Sequence, residues 1–324
     1  MYLINKILNP EMYQGKYRHR KYFEGWYFKV IDKNSRNIFA IIPGVSKTKK
    51  DTHSFIQLID AVSGNTSYVR FPIQEFRYSL NKFDIFIDKN HFDRNGFFID
   101  IKSDGVNISG DIRYTDIVPF PKSFLNPGIM GPYSFVPFME CYHGIVNIHC
   151  GIEGFLNIND RVADFSGGYG YLEKDWGTSF PKSWIWLQSN HFKTPNASVM
   201  FSIASIPWLG SSFDGLITFL KLGNRFYRFA SYTGAKVKRL SCENNVLSVI
   251  LEDSNYTLSL RTTAGGGGIL KAPKKGGMSE NITESITSVV DVVLSEKDGN
   301  VIFDETGENT GLELAGDYMR FERK

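Results

Sequence analysis

Residues 83–113 read FDIFIDKNHFDRNGFFIDIKSDGVNISGDIR, a segment in which short apolar runs alternate with turn signals. The runs at 83–87, 97–101 and 106–113 each have the length of a β-strand. Asn95-Gly96 and Asp104-Gly105 supply the residues that adopt positive φ angles in tight hairpins. The segment therefore predicts an antiparallel meander. Because similar runs recur from residue 23 to residue 158, the predicted fold class is all-β.

The size and composition of the chain limit the remaining choices. A length of 324 residues allows two domains, and we place them at 1–165 and 166–324. Apolar residues make up 42% of the chain, which excludes disorder as its dominant state. A formal charge of +3 is too small for the phosphate attraction of a dedicated nucleic-acid binder.

The cysteines and the N-terminal sequence indicate a cellular compartment. The three cysteines contain no C-x-x-C pair, so a disulfide framework is not expected and a reducing compartment is. Residues 1–20 lack the continuous apolar run of a signal peptide, and no run has the length of a membrane span. We therefore expect a soluble, cytoplasmic protein.

Three segments depart from the simple hairpin pattern. Residues 118–137 contain five prolines, which predicts a long ordered crossing rather than a central strand. Residues 264–277 contain six glycines, which predicts a flexible loop. Residues 279–294 space their apolar side chains as a helix does, but they are rich in β-branched residues, so we assign their second half to a strand.

The common catalytic motifs are missing from the sequence. G-x-S-x-G, the P-loop, G-x-G-x-x-G and H-E-x-x-H are all absent, which disfavours the usual hydrolase and nucleotide-binding functions. His143 and His149 would share a strand face, but an extended chain separates them by about 20 Å, too far for one metal ion. We therefore interpret both as structural histidines and predict no metal site.

The segment 181–190 carries an unusual mixture of side chains on one face. Alternation with a period of two places Trp184, Trp186, Gln188 and Asn190 together. Aromatic planes with a few amides are typical of a ligand cavity. The alternative is that the tryptophans are ordinary core residues and the amides form its rim.

Two carboxylates lie between aromatic residues. Glu173 is close in sequence to Trp176, and a carboxyl group shielded from water can stay protonated and act as a proton donor. The alternative is a surface ion pair between Glu173 and Lys174. Glu24 shares a strand face with Trp26 in the same way.

Three motifs together resemble the tocopherol cyclase family. They are FEGWYFKV at 23–30, EKDWGTSFPKSWIWLQSNHF at 173–192 and LKAP at 270–273. The resemblance implies two tandem lipocalin-like antiparallel β-barrels, a fold shared with carotenoid 1,2-hydratases and lipocalin-like cyclases. Plant members have Asn where this chain has Asp175, and residues 128–146 resemble them poorly, so the chain is most similar to the bacterial branch.

The resemblance also implies a site. Relatives carry a motif similar to Asp-His-x-Trp-Gly, which aligns Glu173 with the acid and Lys174 with the histidine. The implied catalytic residues are Glu173, Lys174 and Asp175. Taking the motif and the strand faces together, we predict that the substrate-binding residues are Glu24, Trp26, Glu140, Trp176, Trp184, Trp186, Gln188 and Asn190.

The function implied by the resemblance is acid-catalysed ring closure on a prenylated phenol or quinol, forming a chroman without any cofactor. A tertiary carbocation would lie against Trp176, Trp184 and Trp186. The expected partner is a hydrophobic small molecule, with no nucleic acid and with transient membrane contact through exposed aromatic residues. Two alternatives remain open: a non-catalytic lipocalin-like binder of isoprenoids, and an alkene hydratase or isomerase of the same superfamily.

Overall fold

The computed structural model describes residues 2–103, 105–159, 161–208, 210–263 and 266–323. A short helix, α1, spans Tyr2–Leu8, and the first twelve strands follow it. They are β1 (Tyr22–Ile31), β2 (Ile38–Lys47), β3 (Thr52–Asp60), β4 (Thr66–Pro72), β5 (Phe76–Tyr78), β6 (Asp84–Ile87), β7 (Asn90–Asp93), β8 (Gly96–Ser103), β9 (Val106–Pro119), β10 (Cys141–Ile158), β11 (Arg161–Asp164) and β12 (Gly168–Gly177).

Ten more strands complete the fold. They are β13 (Trp184–Ser189), β14 (Ser198–Trp208), β15 (Ser211–Leu222), β16 (Arg225–Ala230), β17 (Lys236–Glu243), β18 (Val246–Glu252), β19 (Tyr256–Thr263), β20 (Gly268–Lys274), β21 (Gly277–Glu296) and β22 (Val301–Ala315). Short 3-10 helices lie at Ile73–Glu75, Gly131–Phe135, Ser231–Thr233 and Tyr318–Phe321.

The first twelve strands form one antiparallel sheet that curls into a nearly closed barrel. Its order is β4-β3-β2-β1-β12-β10-β9-β8-β7-β6-β5, with β11 attached to β10. The edge strands β4 and β5 are consecutive in the chain and are joined by the 3-10 helix Ile73–Glu75. This short connection holds the two edges near each other, which limits the exposure of unpaired strand edges.

The second sheet repeats this plan. Its order is β16-β15-β14-β13-β22-β21-β19-β18-β17, with β20 attached to β21. Its edge strands β16 and β17 are again consecutive and are joined by a 3-10 helix, Ser231–Thr233. The predicted all-β fold of two antiparallel barrels is confirmed.

The chain divides into two compact units, each built from two separate segments of the sequence. The first unit contains Met1–Phe180 and Ile269–Ile282, and the second contains Pro181–Gly268 and Thr283–Lys324. The sequence placed the boundary at 165/166, whereas β12 pairs with β1 and β10 and so belongs to the first barrel. The inserted piece 269–282 had no signal in the sequence.

Two predicted local structures differ from those observed. The predicted loop 264–277 contains strand β20, because Gln57 holds Lys271 from both sides: its Nε2 donates to the Lys271 carbonyl at 3.0 Å and its Oε1 accepts from the Lys271 amide at 2.8 Å. Residues 264 and 265 of that loop lie outside the described part. Residues 279–294 are strand throughout, within β21.

The crossing between β9 and β10 is irregular, as predicted, apart from the 3-10 helix Gly131–Phe135. In the part of the chain that the structure describes, no helix is long and apolar enough to span a membrane.

Candidate functional site

The motif Glu173-Lys174-Asp175-Trp176 lies on β12, and its alternating side chains divide between two faces of the first barrel. β12 pairs with β1 so that Lys174 is opposite Trp26 and Trp176 is opposite Glu24. These four side chains share the inner face, because Trp26 belongs to the core cluster inside the barrel. Glu173 and Asp175 therefore project from the outer face.

The inner face holds a fully buried ion pair. The Lys174 ammonium lies 2.5 Å from Glu24 Oε1, and both side chains are completely buried. The ammonium also donates to the carbonyls of Pro10 at 2.8 Å and Met12 at 2.5 Å. Each of its three N–H groups thus has an acceptor, and the N-terminal segment is fastened to the barrel interior.

The Glu24 carboxylate is equally well satisfied. It accepts the backbone N–H of Gln14 at 2.9 and 3.0 Å on its two oxygens, and the Tyr22 hydroxyl donates to Oε2. With Lys174 it has hydrogen-bonding partners on both oxygens. These contacts give Glu24 a structural role, because a substrate would have to displace them, and its predicted contact with substrate stays a prediction.

The Lys174 ammonium already lies against the ring faces of Trp26 and Trp176. Its Nζ lies 4.8 Å from the ring centroid of Trp26 and 4.7 Å from that of Trp176. A carbocation next to Trp176 would meet the positive charge of Lys174, so this indole is a poor partner for one. Burial lowers the pKa of Lys174 to about 8, and the attraction of Glu24 opposes that shift.

Aromatic rings pack against one another across the inside of the first barrel. The Trp26 and Phe83 rings stack with centroids 5.3 Å apart, and Phe28 contacts Phe92 and Phe97 at 5.7 and 5.5 Å. These rings are almost completely buried. Side chains thus occupy the space that a lipocalin-like carrier would use for its ligand.

The outer face of β12 carries a chain of hydrogen-bonding groups. Glu173 is 5% exposed, and its Oε2 accepts the Tyr171 hydroxyl at 2.6 Å. His143 of β10 lies beside it, with Nε2 3.4 Å from the same oxygen. The opposite ring nitrogen, Nδ1, is 2.9 Å from Asp175 Oδ1. In the order Tyr171–Glu173–His143–Asp175, the carboxyl group of Glu173 lies next to the imidazole of His143. The second carboxylate, that of Asp175, orients this imidazole.

The same three residues offer ligand types for a divalent cation. His143, Glu173 and Asp175 each place one suitable atom within 4.8 Å of the others. The two carboxylates face different nitrogens of one imidazole, and a single ion can bind only one of those nitrogens. A proton relay through the imidazole therefore fits this arrangement better than a shared ion does.

The strand register brings further groups to this face. Tyr27 of β1 pairs with Glu173, and Lys29 pairs with Tyr171. Burial raises the pKa of Tyr171 well above its usual range, with Glu173 adding to the rise, so this phenol keeps its proton. His143 was interpreted from sequence as structural. Its role beside Glu173 depends on the register of β10 against β12, which no sequence pattern indicated.

Lys174 is separated from Glu173 and Asp175 by the sheet itself. The sequence grouped these three consecutive residues as catalytic, but adjacent strand residues point to opposite faces. The Lys174 ammonium lies among Glu24, Pro10 and Met12, so it cannot relay a proton from Asp175. Glu173 and Asp175 remain together, bridged by His143.

Glu140 lies at the end of the crossing, half-buried, and its backbone has a structural function. Its carbonyl accepts the backbone N–H groups of Thr178 at 2.8 Å and Ser179 at 3.2 Å. These bonds hold the chain where it leaves β12 at Gly177. The predicted contact of Glu140 with substrate stays a prediction.

The tryptophans of β13 lie on the face of their strand that points away from the second barrel's core. Ile185 and Leu187 belong to the core cluster inside that barrel, so Trp184, Trp186 and Gln188 project outward. All three are nevertheless buried, as is Asn190. The indole of Trp184 donates to Glu313 Oε2 at 2.6 Å. The predicted shared face agrees with the register, and its use as a ligand cavity stays a prediction.

Comparisons with known proteins agree with this fold and its motifs. The family model described as Tocopherol cyclase-like matches residues 105–316. "Tocopherol cyclase, chloroplastic" of Zea mays is 26% identical over 200 residues, and "Probable tocopherol cyclase, chloroplastic" of Oryza sativa subsp. japonica is 24% identical over 191 residues. Each match covers 56% of this chain and 40% of the relative. The similarity thus spans about two fifths of the length of these curated relatives.

Solved structures share the architecture at low sequence identity. CghA with Sch210972 has a TM-score of 0.57 at 9% identity, covering 91% of this chain and 88% of that one. A putative AttH from Nitrosomonas europaea has a TM-score of 0.50 at 12% identity, covering 91% and 92%. These likenesses concern the fold, which is that of two tandem lipocalin-like barrels. Because the family model covers most of the sequence, this chain belongs to the tocopherol cyclase-like family.

Proposed function

We propose that this protein is an enzyme that closes a chroman ring on a prenylated phenol or quinol by acid catalysis. The observation that carries the proposal is the chain of side chains Tyr171–Glu173–His143–Asp175 on the outer face of the first barrel. Two relatives in the same family are described as tocopherol cyclases, which supports a ring closure of this class.

Glu173 is the proposed acid. Its carboxyl group would transfer a proton to the trisubstituted alkene of the prenyl chain, leaving a tertiary carbocation. The phenolic oxygen would then attack that carbon and close the ring. Burial favours the neutral form of a carboxyl group and keeps water, which would otherwise capture the carbocation, away from it.

His143 and Asp175 would return the proton. Ring closure releases the phenolic proton, so the reaction consumes no acid overall. With its Nδ1–H donated to Asp175, His143 would take the phenolic proton on Nε2 and deliver it to the Glu173 carboxylate. The Tyr171 hydroxyl, bound to Oε2, would fix the carboxyl group during both steps.

The test is a panel of prenylated hydroquinones incubated with the purified protein in deuterated water. Cyclisation predicts a chroman of unchanged composition, with one deuterium on the carbon that received the proton. A product that contains one added water would instead indicate an alkene hydratase. Binding without turnover across the panel would favour a non-catalytic isoprenoid binder and contradict the proposal.

A further inference from the structure

One end of the first barrel gathers three surface segments. β1 begins there at Tyr22, β2 ends at Lys47, and β9 and β10 meet it at Pro119 and Cys141. Because these neighbouring strands are antiparallel, residues 16–21, the loop 47–51 and the crossing 120–140 all lie at this end. We call it the basic end. The His143–Asp175 pair lies close to it, two residues from the respective strand ends at Cys141 and Gly177.

The charge of the basic end is strongly positive. Residues 16–21 read KYRHRK, with four Lys or Arg and no acidic residue, and residues 47–51 read KTKKD. The acidic member of the loop, Asp51, is paired with Arg70 at 2.6 Å. These two segments alone carry more positive charge than the +3 of the whole chain, so the rest of the molecule is net acidic.

The crossing adds apolar side chains that project into solvent. Phe138 is 87% exposed, Phe124 75% and Leu125 69%. Phe138 also has a φ angle of 64°, a left-handed conformation that is strained for an aromatic residue. A conformation that costs energy in order to present a phenyl ring to water points to a surface that receives the ring.

The basic segments and the crossing are joined to each other. Lys122 of the crossing pairs with Glu11 at 2.6 Å, just before the basic segment. Lys47 Nζ donates to the Arg18 carbonyl at 3.0 Å, and the Tyr142 hydroxyl donates to the Val136 carbonyl at 2.7 Å.

We propose that the basic end docks on an anionic lipid surface, with Phe124, Leu125 and Phe138 inserted between head groups. Exposed aromatic and leucine side chains surrounded by Lys and Arg are the combination that binds at a charged membrane interface. These apolar residues project from the tip and the end of one irregular crossing rather than lining a groove, which suits insertion into lipid. Docking needs no turnover, so this proposal is independent of the proposed ring closure.

The test is flotation of the intact protein with vesicles of phosphatidylcholine, alone or with about 30% phosphatidylglycerol. We expect binding at least about 10-fold tighter to the anionic vesicles at low salt, and weaker binding as salt rises. The variants Phe124→Ser/Phe138→Ser and Lys49→Glu/Lys50→Glu should each lose about 10-fold or more in vesicle affinity.

Matched controls come from the opposite end of the same barrel. Phe155→Ser/Val162→Ser removes two apolar side chains that are also more than half exposed, and Lys33→Glu/Arg36→Glu reverses two exposed charges in the β1–β2 turn. Both control variants should float like the unchanged protein. Equal loss in the controls, or full binding by the Phe124/Phe138 variant, would overturn the proposal. Binding to duplex DNA as tight as to vesicles, unaffected by Phe124→Ser/Phe138→Ser, would assign the basic end to a polyanion and also overturn it.

Discussion

Glu173 and Lys174 are consecutive residues whose polar side-chain groups lie on opposite sides of the first barrel wall. Lys174 is buried inside against Glu24, whereas Glu173 faces outward toward Tyr171 and His143. The motif that marks the family therefore combines two tasks on one strand. Its inner residues fasten the barrel to the N-terminal segment, and its outer residues form the proposed acid site.

The first prediction concerns the buried ion pair. Lys174→Met should destabilise the protein by about 3 to 5 kcal/mol, because it leaves the Glu24 carboxylate buried without its cation. The double variant Glu24→Gln/Lys174→Met should be clearly more stable than the sum of the two single changes implies. Urea unfolding followed by tryptophan fluorescence measures all four proteins. Additive effects would show that the two groups do not act as a pair.

The second prediction concerns pH. The pKa of Lys174 is lowered to about 8 in the folded protein, whereas an unfolded lysine titrates near 10.5. Between these values the unfolded state binds more protons, so native stability rises with pH. The measured quantity is the unfolding free energy of the unchanged protein minus that of Glu24→Gln/Lys174→Met. This difference should be constant below pH 8 and increase above it, by at most about 3 kcal/mol. If the difference in unfolding free energy decreases as the pH rises above 8, the lowered pKa of Lys174 is contradicted.

The third prediction concerns Gly177, where the chain leaves the site. A Cβ at this position would overlap the Glu140 carbonyl oxygen, which already accepts from Thr178 and Ser179. Gly177→Ala should therefore lower the thermal midpoint by several degrees, whereas Gly266→Ala, at a loop position with open space and no left-handed φ angle, should change it much less. Equal decreases of the thermal midpoint in the two variants would contradict this structural role of Gly177.

The fourth prediction concerns His143. If it acts through Glu173, His143→Gln should slow turnover at least about 10-fold with little change in substrate affinity. Combined with Glu173→Gln it should add almost nothing, because residues that act as a unit are not additive. His149→Gln on the same strand, whose ring packs against Tyr169, is the control and should keep its rate. If the rate losses of His143→Gln and Glu173→Gln multiply in the double variant, His143 does not act through Glu173.

The sequence was most informative about alternation along single strands. It predicted that Glu24 and Trp26 share a face, and both point into the first barrel. It also predicted that Trp184 and Trp186 share a face. It did not show which face is interior, because every residue of β13 is buried and both faces of the strand look like a core.

Relationships between strands were harder to predict. His143 reaches Glu173 because it pairs with Asp175 in a regular stretch of the β10–β12 ladder, which two register irregularities at Ile145/Asn147 and Asn147/Cys150 offset from the rest of that ladder. Such bulges depend on packing rather than on a local motif. Lys174 was grouped with Glu173 through the aligned family motif, although a strand period of two already separates them.

The proposed acid is tested most directly by Glu173→Gln. Gln preserves size and hydrogen bonding but has no transferable proton, so turnover of a prenylated hydroquinone should fall at least about 100-fold while its dissociation constant stays nearly unchanged. The control is Glu153→Gln, which should keep full activity. Glu153 is an exposed carboxylate on the far part of β10 and is paired with Arg113 of β9. In deuterated water the unchanged protein should place one deuterium in each chroman formed. Full chroman formation by Glu173→Gln would contradict the account.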